Sequence, residues 1–356
     1  MKRVAEKAPL SLPANSKAQS AQTVPARPIL FYAIAYVACT LIAVTPLYRA
    51  AGVPYIQLFT TRILLFFGQW LPTDFYHAQD ATVSQSGTAI TLFIALMWLA
   101  FILYGLSAYA ILRKPSQANY RNIQRIIWIM TIVVGCIFIV TPVMLSHDIF
   151  VYISYGRIIT YYHTNPYFTP FAYFPKDPFF SYDDWKNVLS AYGPVWETVS
   201  ALASLVIRDH LGRALLVFRS ISFAAHLLNI ALIALILRAM GRSPRTITLG
   251  TLLYAWNPLA LEESSLGGHN DVFMVTLILA GIFFYVRAEQ QTQEPAWRRF
   301  LPSTLAFSLA VLVKLTALPV LVLYMLLLAI RAFKETPSQS ETQSIALQAR
   351  LVNVFK

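Results

Sequence analysis

The sequence predicts an all-α protein, a multi-spanning bundle of transmembrane helices with a long extracytoplasmic loop containing short helices, and three observations carry that prediction. Of 356 residues, 57% are hydrophobic and only 12% are charged, about half the charged share of a soluble domain. Several apolar runs are long enough to cross the ~30 Å of hydrocarbon in a bilayer. The remaining charges collect in short clusters between those runs. The net charge of +12 therefore reads as Lys and Arg holding loops at the cytoplasmic face of a lipid bilayer. It does not read as a nucleic-acid surface, which needs basic residues gathered on one face. Cys39 and Cys136 each lie inside an apolar run without metal-ligand or CxxC spacing, and both read as small buried hydrophobes.

Residues 1–28 are polar and carry Lys2, Arg3, Lys7, Lys17 and Arg27, the composition of a disordered basic cytoplasmic tail. They do not form a signal peptide, because the apolar run begins late, is as long as a full span and has no small-residue cleavage site. The runs 29–48, 88–112 and 126–145 contain no charged residue and are spans. Between the second and third lies RKPSQANYRNIQR, with Arg113, Lys114, Arg121 and Arg125 and no acid. That loop marks the cytoplasm, so the third span exits on the outer face. The next span, 214–237, is followed by Arg238, Arg242 and Arg245, again cytoplasmic. Two shorter spans near 246–261 and 272–287 flank EESSLGGHND, whose Glu262, Glu263 and Asp271 lie outside. The run 301–330 contains Lys314 and Pro319 and is expected as a broken helix or a tight pair. The positive-inside rule favours the pair, which returns Arg331 and Lys334 to the cytoplasm. Residues 335–356 read as a polar tail where the chain is expected to stop short of a natural terminus. The runs 53–71, with Arg62, and 196–207 are expected as interfacial or re-entrant helices. No repeat suggests an inverted-repeat transporter. Arg219, His226 and Asn229 share one span, and they, like His163, are open to a structural or a functional role.

The segment from Ser146 to Glu197 is unlike a passive connector. It begins SHDIFVYISYGR, continues YYHTNPYFTP and ends SAYGPVWE. Its Tyr152, Tyr155, Tyr161, Tyr162, Tyr167 and Tyr192 offer rings for stacking on sugars or isoprenes and hydroxyls for hydrogen bonding, or else an interfacial aromatic belt. Asp148 stands where the third span ends, and a carboxylate near hydrocarbon is costly unless it has a use; an acid in the first turn of a helix is the alternative reading. Tyr152 and Tyr155, four and seven residues on, share its face. Asn165-Pro166-Tyr167 reads as an extended turn and Tyr192-Gly193-Pro194 as the tight start of the next helix.

With Gly156-Arg157, Trp256-Asn257-Pro258 and Gly267-Gly268-His269-Asn270-Asp271, these motifs resemble those of the GT-C class of polyprenyl-phosphate-sugar-dependent membrane glycosyltransferases, in particular bacterial alpha-mannosyltransferases. The resemblance covers roughly residues 140–275, with a weaker echo at Lys314. It implies a transmembrane glycosyltransferase domain over 29–334 with its outer catalytic segment at 146–197, no cofactor and no metal. Members of the class usually carry their acid in the first long outer loop, so Asp74 and Asp80 in 49–87 stay open as alternatives. Transfer from a polyprenyl-phosphate sugar needs one base for the acceptor hydroxyl, while the phosphate leaves as an anion. Asp148 is the expected base. Arg157, whose fork suits phosphate oxygens, and Lys314 are the expected phosphate ligands; a snorkelling Lys314 is the alternative. Tyr152, Tyr155, Asn165, Tyr167, Tyr192, His269, Asn270 and Asp271 are the expected substrate-binding residues, with Glu262 and Glu263 available to orient the acceptor. A metal site built from His147, His269 and Asp271 lacks the spacing of structural zinc. The reading is transfer of a hexose, mannose, from a polyprenyl-phosphate sugar donor to a glycolipid or polysaccharide acceptor on the outer face. The rivals are a secondary transporter and a non-catalytic membrane subunit of envelope assembly.

Overall fold

The computed structural model of the chain describes residues 27–50, 83–113, 119–141, 146–291, 295–335 and 352. The basic tail up to residue 26, the loop with Asp74 and Asp80, the helix expected over 53–71, Lys114 and most of the polar tail lie outside the described residues. The helices are α1 (Arg27–Ala50), α2 (Val83–Leu112), α3 (Tyr120–Ile139), α4 (Asp148–Thr160), α5 (Pro194–Ile207), α6 (Leu211–Ala239), α7 (Pro244–Ala255), α8 (Pro258–Leu261), α9 (Asp271–Gln290), α10 (Ala296–Val313) and α11 (Leu318–Glu335), and there is no strand among the described residues. Six helical stretches are long and apolar enough to cross a membrane: 27–44, 91–112, 120–139, 211–239, 271–290 and 315–333. The chain is a multi-pass, all-helical membrane protein.

Hydropathy located the lipid-buried part of α3, but the helix itself begins six residues earlier than the apolar run. Asn119 caps it, its side-chain oxygen accepting the Asn122 N–H at 3.2 Å, so the polar first turn with Arg121 and Arg125 is helical too. Ile123, Ile127, Met130, Val134 and Phe138 bury one stripe of α3, and Ile129, Ile132 and Val133 on the opposite face stay exposed, as a lipid-facing helix requires. Cys136 shares that outward face and is exposed, contrary to expectation, whereas Cys39 is buried and donates to the Leu96 carbonyl at 3.0 Å.

The run 246–261 is not a single span. Helix α7 has 12 residues, about 18 Å at the α-helical rise, too short to cross the hydrocarbon alone, so the crossing is completed by the elements after it. Pro258 lacks an N–H and disfavours helix at the residue before it, so the chain breaks at Asn257. The Asn257 side chain then caps α8, accepting the N–H of Leu259 at 3.0 Å and of Ala260 at 3.3 Å. Trp256 stays buried, and its ring N–H donates to the Ile127 carbonyl at 3.2 Å, tying the break to α3. A π-helical turn, Glu262–Leu266, completes the path. At 301–330 the chain makes the tight pair. Lys314 is extended, a 3-10 turn covers Leu315–Ala317, and α11 folds back on α10 with the Tyr324 hydroxyl 2.5 Å from Ser303 Oγ. Helix α5, 14 residues long, spans only about 21 Å and leaves Leu202, Leu205 and Val206 exposed, as an interfacial helix would.

Because successive spans reverse direction, the loops sort to two ends. One end gathers Arg113, Arg121, Arg125, Arg238, Arg242, Arg245, Arg287, Arg298 and Arg299, and is tied by Gln290 donating to the Ala239 carbonyl at 2.5 Å, Arg299 to the Gln291 carbonyl at 2.7 Å, and an Arg331–Glu289 ion pair. The other end holds the start of α4, the turn 262–271 and Lys314. Arg219, fully buried in α6, caps the C-terminus of α3 by donating to the carbonyls of Ile139 at 2.7 Å and Thr141 at 2.5 Å, where the helix carries partial negative charge.

In a background with Cys39 and Cys136 replaced by Ser, Ser181→Cys and Arg242→Cys should react with a membrane-impermeant maleimide from opposite sides of sealed vesicles. Labelling of both from one side would contradict this two-ended arrangement.

Candidate active site

At the end away from the arginines, three segments bring charged groups together. Asp148 opens α4, where an acid complements the exposed N–H groups of the first turn, and its backbone N–H donates to Ser146 Oγ at 3.2 Å. The turn after α8 is closed by Gly267 N–H to the Glu262 carbonyl at 2.9 Å and His269 N–H to the Glu263 carbonyl at 3.0 Å. Gly268 makes that closure with φ +66, a left-handed conformation that L side chains rarely adopt. His269 is thereby laid between two carboxylates, Nδ1 3.5 Å from Asp148 Oδ2 and Nε2 3.5 Å from Glu263 Oε2. Lys314, at the extended break between α10 and α11, holds Asp271 with Nζ 2.8 Å from Oδ2 and 3.0 Å from Oδ1. The cluster is open to solvent, with side-chain exposures from 17% at His269 to 44% at Asp271. Asn270, between them in sequence, is fully buried with no hydrogen-bond partner for either side-chain polar atom.

An aromatic wall stands beside the carboxylates. The Tyr152 ring meets Tyr192 and Trp196 edge-on, each with centroids 5.1 Å apart, and the Tyr152 hydroxyl accepts the Asn270 N–H at 3.5 Å. Burial, then the nearby Tyr192 and Asp148, hold the Tyr152 hydroxyl well above the usual tyrosine range, and burial followed by Asp148 raises Tyr192 in the same direction. Tyr192 is fixed next to the lysine by a close backbone approach. Gly193 N–H donates to the Val313 carbonyl at 2.9 Å, and a Cβ on Gly193 would lie 2.0 Å from the Leu312 carbonyl oxygen, a distance no side chain tolerates.

The other expected site residues do not join this cluster. Arg157 lies nine residues beyond Asp148, about 13 Å along the helix. It is only 3% exposed, with Nε donating to Asp177 Oδ2 at 2.7 Å and Nη2 3.0 Å from Asp209 Oδ1. Its Nη1 donates to the Arg208 carbonyl at 2.8 Å. Tyr155 donates to the Val188 carbonyl at 3.2 Å, Asn165 accepts the Tyr167 N–H at 2.9 Å, and the Tyr167 hydroxyl donates to the Tyr192 carbonyl at 2.9 Å. These residues brace the connecting segment, and Tyr167 in particular buttresses Tyr192. His147 takes its own partner, with Nδ1 2.5 Å from Asp184 Oδ2, so His147, His269 and Asp271 do not converge on one point.

Asp177 and Glu197 are among the acids that escaped the sequence reading. Asp177, which holds Arg157, sits in an ordinary-looking loop with no spacing signal. Glu197 stands in an apolar run, where a buried carboxylate calls for attention; it accepts a hydrogen bond from Ser190 Oγ, which itself accepts the Tyr192 N–H at 3.2 Å. Burial pushes the Glu197 carboxyl up to about 7, and burial with the Glu263 charge does the same to Glu262. An unfolded glutamate ionises near 4.5, so the stability each raised group contributes is complete below that pH and lost as pH climbs to about 7. The thermal midpoint in detergent should therefore fall between pH 4.5 and 7. Glu197→Gln, which keeps an acceptor for Ser190, should shrink that fall; an unchanged slope would exclude Glu197 as one of its sources.

No curated protein and no solved structure matches the chain. The family model described as alpha-(1->6)-mannopyranosyltransferase, N-terminal domain, matches residues 59–330, a stretch that contains every residue of the cluster. The chain belongs to this family and is a membrane-embedded mannosyltransferase.

Proposed function

We propose that the protein moves mannose from a polyprenyl-phosphate donor, in the manner of the GT-C class, to a glycolipid or polysaccharide acceptor at the extracytoplasmic edge of the cell membrane. The observation that carries this reading is the presence, at one end of an apolar bundle, of a solvent-open carboxylate and of a lysine whose ion pair among the described residues is with another exposed carboxylate. Side-chain exposures of 35% at Asp148 and 28% at Lys314 leave both within reach of a ligand. The arginine-rich end opposite supports the orientation, since Lys and Arg concentrate on the cytoplasmic side. The N-terminus then lies in the cytoplasm and the cluster faces out.

Asp148 takes the acceptor hydroxyl proton as that oxygen bonds to C1 of the mannose. The bond from C1 to the phosphate oxygen breaks, and its electron pair leaves with the phosphate. Lys314 turns from Asp271 to the departing phosphate, where a fixed cation beside lipid is worth far more than in water. Tyr152 and Tyr192 wall the sugar, and Asp271 with Asn270 supplies polar contacts. Tyr155, Asn165 and Tyr167 serve the substrate by holding that wall. Arg157 keeps the connecting segment folded, leaving the phosphate to Lys314.

Asp148→Asn keeps shape but cannot accept a proton, so transfer should fall by about 10²–10⁴-fold, the usual contribution of a general base, with donor binding retained. Lys314→Gln should weaken both donor binding and turnover. Asp74→Asn and Asp80→Asn, measured alongside, should stay active. An active Asp148→Asn beside a dead loop variant would move the base to 49–87.

A further inference from the structure

We propose that His269 and Glu263 form the proton exit for Asp148, carrying the proton taken from the acceptor hydroxyl through the imidazole to the protein surface. The inference rests on Asp148 being the base. Its first support is geometric. The two ring nitrogens of His269 each face a carboxylate oxygen at 3.5 Å, Asp148 on one side and Glu263 on the other. That separation is just beyond a direct hydrogen bond, and a small turn of either carboxylate closes it; such contacts are commonly long before substrate binds.

The second support is that the imidazole is held in place by a built turn. Its backbone N–H is taken by the Glu263 carbonyl at 3.0 Å, and its carbonyl accepts from Ser222 Oγ at 3.2 Å. The ring lies so close over Gly267 that a Cβ there would stand 2.4 Å from His269 Cδ2. Glu263 and the three residues after it belong to a π-helical turn, Glu262–Leu266, a rare element that recurs at functional sites. Six residues apart, acid and imidazole would splay on a regular helix, and the turn closes them onto each other.

The third support is that the other described side chains around Asp148 are poor proton acceptors once substrate is bound. The open side of Asp148 is the side on which the acceptor must arrive. Tyr152 and Tyr192, its aromatic neighbours, keep their protons far above neutral pH, and Lys314 is a cation engaged by Asp271 or by phosphate. His269 can receive the proton and Glu263, 41% exposed, can release it. The neutral ring, protonated at Nε2, accepts the proton of the Asp148 carboxyl at Nδ1 while the Nε2 proton passes to Glu263 and then to water. Asp148 is returned to its carboxylate, and the ring recovers its starting tautomer by proton exchange with solvent. The path moves one proton and needs no co-reactant.

The test uses the full chain in detergent, a polyprenyl-phosphomannose donor and octyl mannoside as acceptor probe. His269→Gly should lower kcat roughly 10–100-fold, a part of the 10²–10⁴-fold range of acid–base assistance, with donor KM unchanged, and added imidazole should restore kcat. Imidazole should not rescue Asp148→Asn. Glu263→Gln should slow turnover less, and the double variant should be no slower than His269→Gly alone, because both act on one path. Normal turnover by His269→Gly, a loss that imidazole does not repair, or multiplied losses in the double variant would overturn the proposal. Should His269→Gly fail to fold, His269→Gln decides by whether kcat falls at constant KM. An active Asp148→Asn would instead remove the base itself, whereas a dead Asp148→Asn beside a normal His269→Gly would remove only the exit.

Discussion

Hydrocarbon offers an ionised side chain no water, and the arrangement of this chain follows from where its charges can go. They sit at the ends of the spans or find a partner inside. Helices that reverse direction bring distant parts of the sequence to the same end, which is how Asp148, Glu263, His269, Asp271 and Lys314 converge from three segments. Among the described residues Arg219 lies within a span, and it is stabilised by the carbonyls that end α3, a place where a helix already presents negative charge. The same contact fixes the end of the span from which the chain runs on to Asp148.

The segment between α4 and α5 is a brace for this meeting point. Its buried Arg157–Asp177 pair is the kind of contact that costs about 3–5 kcal/mol when one partner is removed. From there Tyr167 holds the Tyr192 carbonyl, and Gly193 joins the α10 terminus one residue before Lys314. The aromatic wall and the lysine are thus positioned by one continuous set of contacts, so a displacement of the segment would move both. The exposed cluster can stay loosely paired because this frame does not rely on it.

Much of the bundle is legible in the sequence because hydropathy reports directly on lipid burial. Charge-free runs found α1, α2 and α3, and Lys314 with Pro319 announced the hairpin at 301–330. Hydropathy could not distinguish a span from an apolar run broken at Asn257-Pro258, where backbone chemistry decides. Asp148, Tyr152, His269 and Lys314 were visible as polar residues at the edges of apolar runs. Their pairings were not, since Lys314 and Asp271 are 43 positions apart and only the folded antiparallel helices join them. Arg157 shows the same gap: its fork, suited to phosphate oxygens, is visible in the sequence, whereas the carboxylate 20 residues away that pairs with it is not. The π-helical turn that sets Glu263 against His269 has no pattern that periodicity could detect.

The placement of chemistry at this end is tested most directly by a cryo-EM structure of the chain with a non-transferable mannosyl polyprenyl-phosphonate. Phosphonate against Lys314, with C1 of the sugar facing Asp148 and the Tyr152–Tyr192 wall beside it, is the expected result. A headgroup bound among Arg113, Arg121 and Arg238 at the opposite end would contradict it.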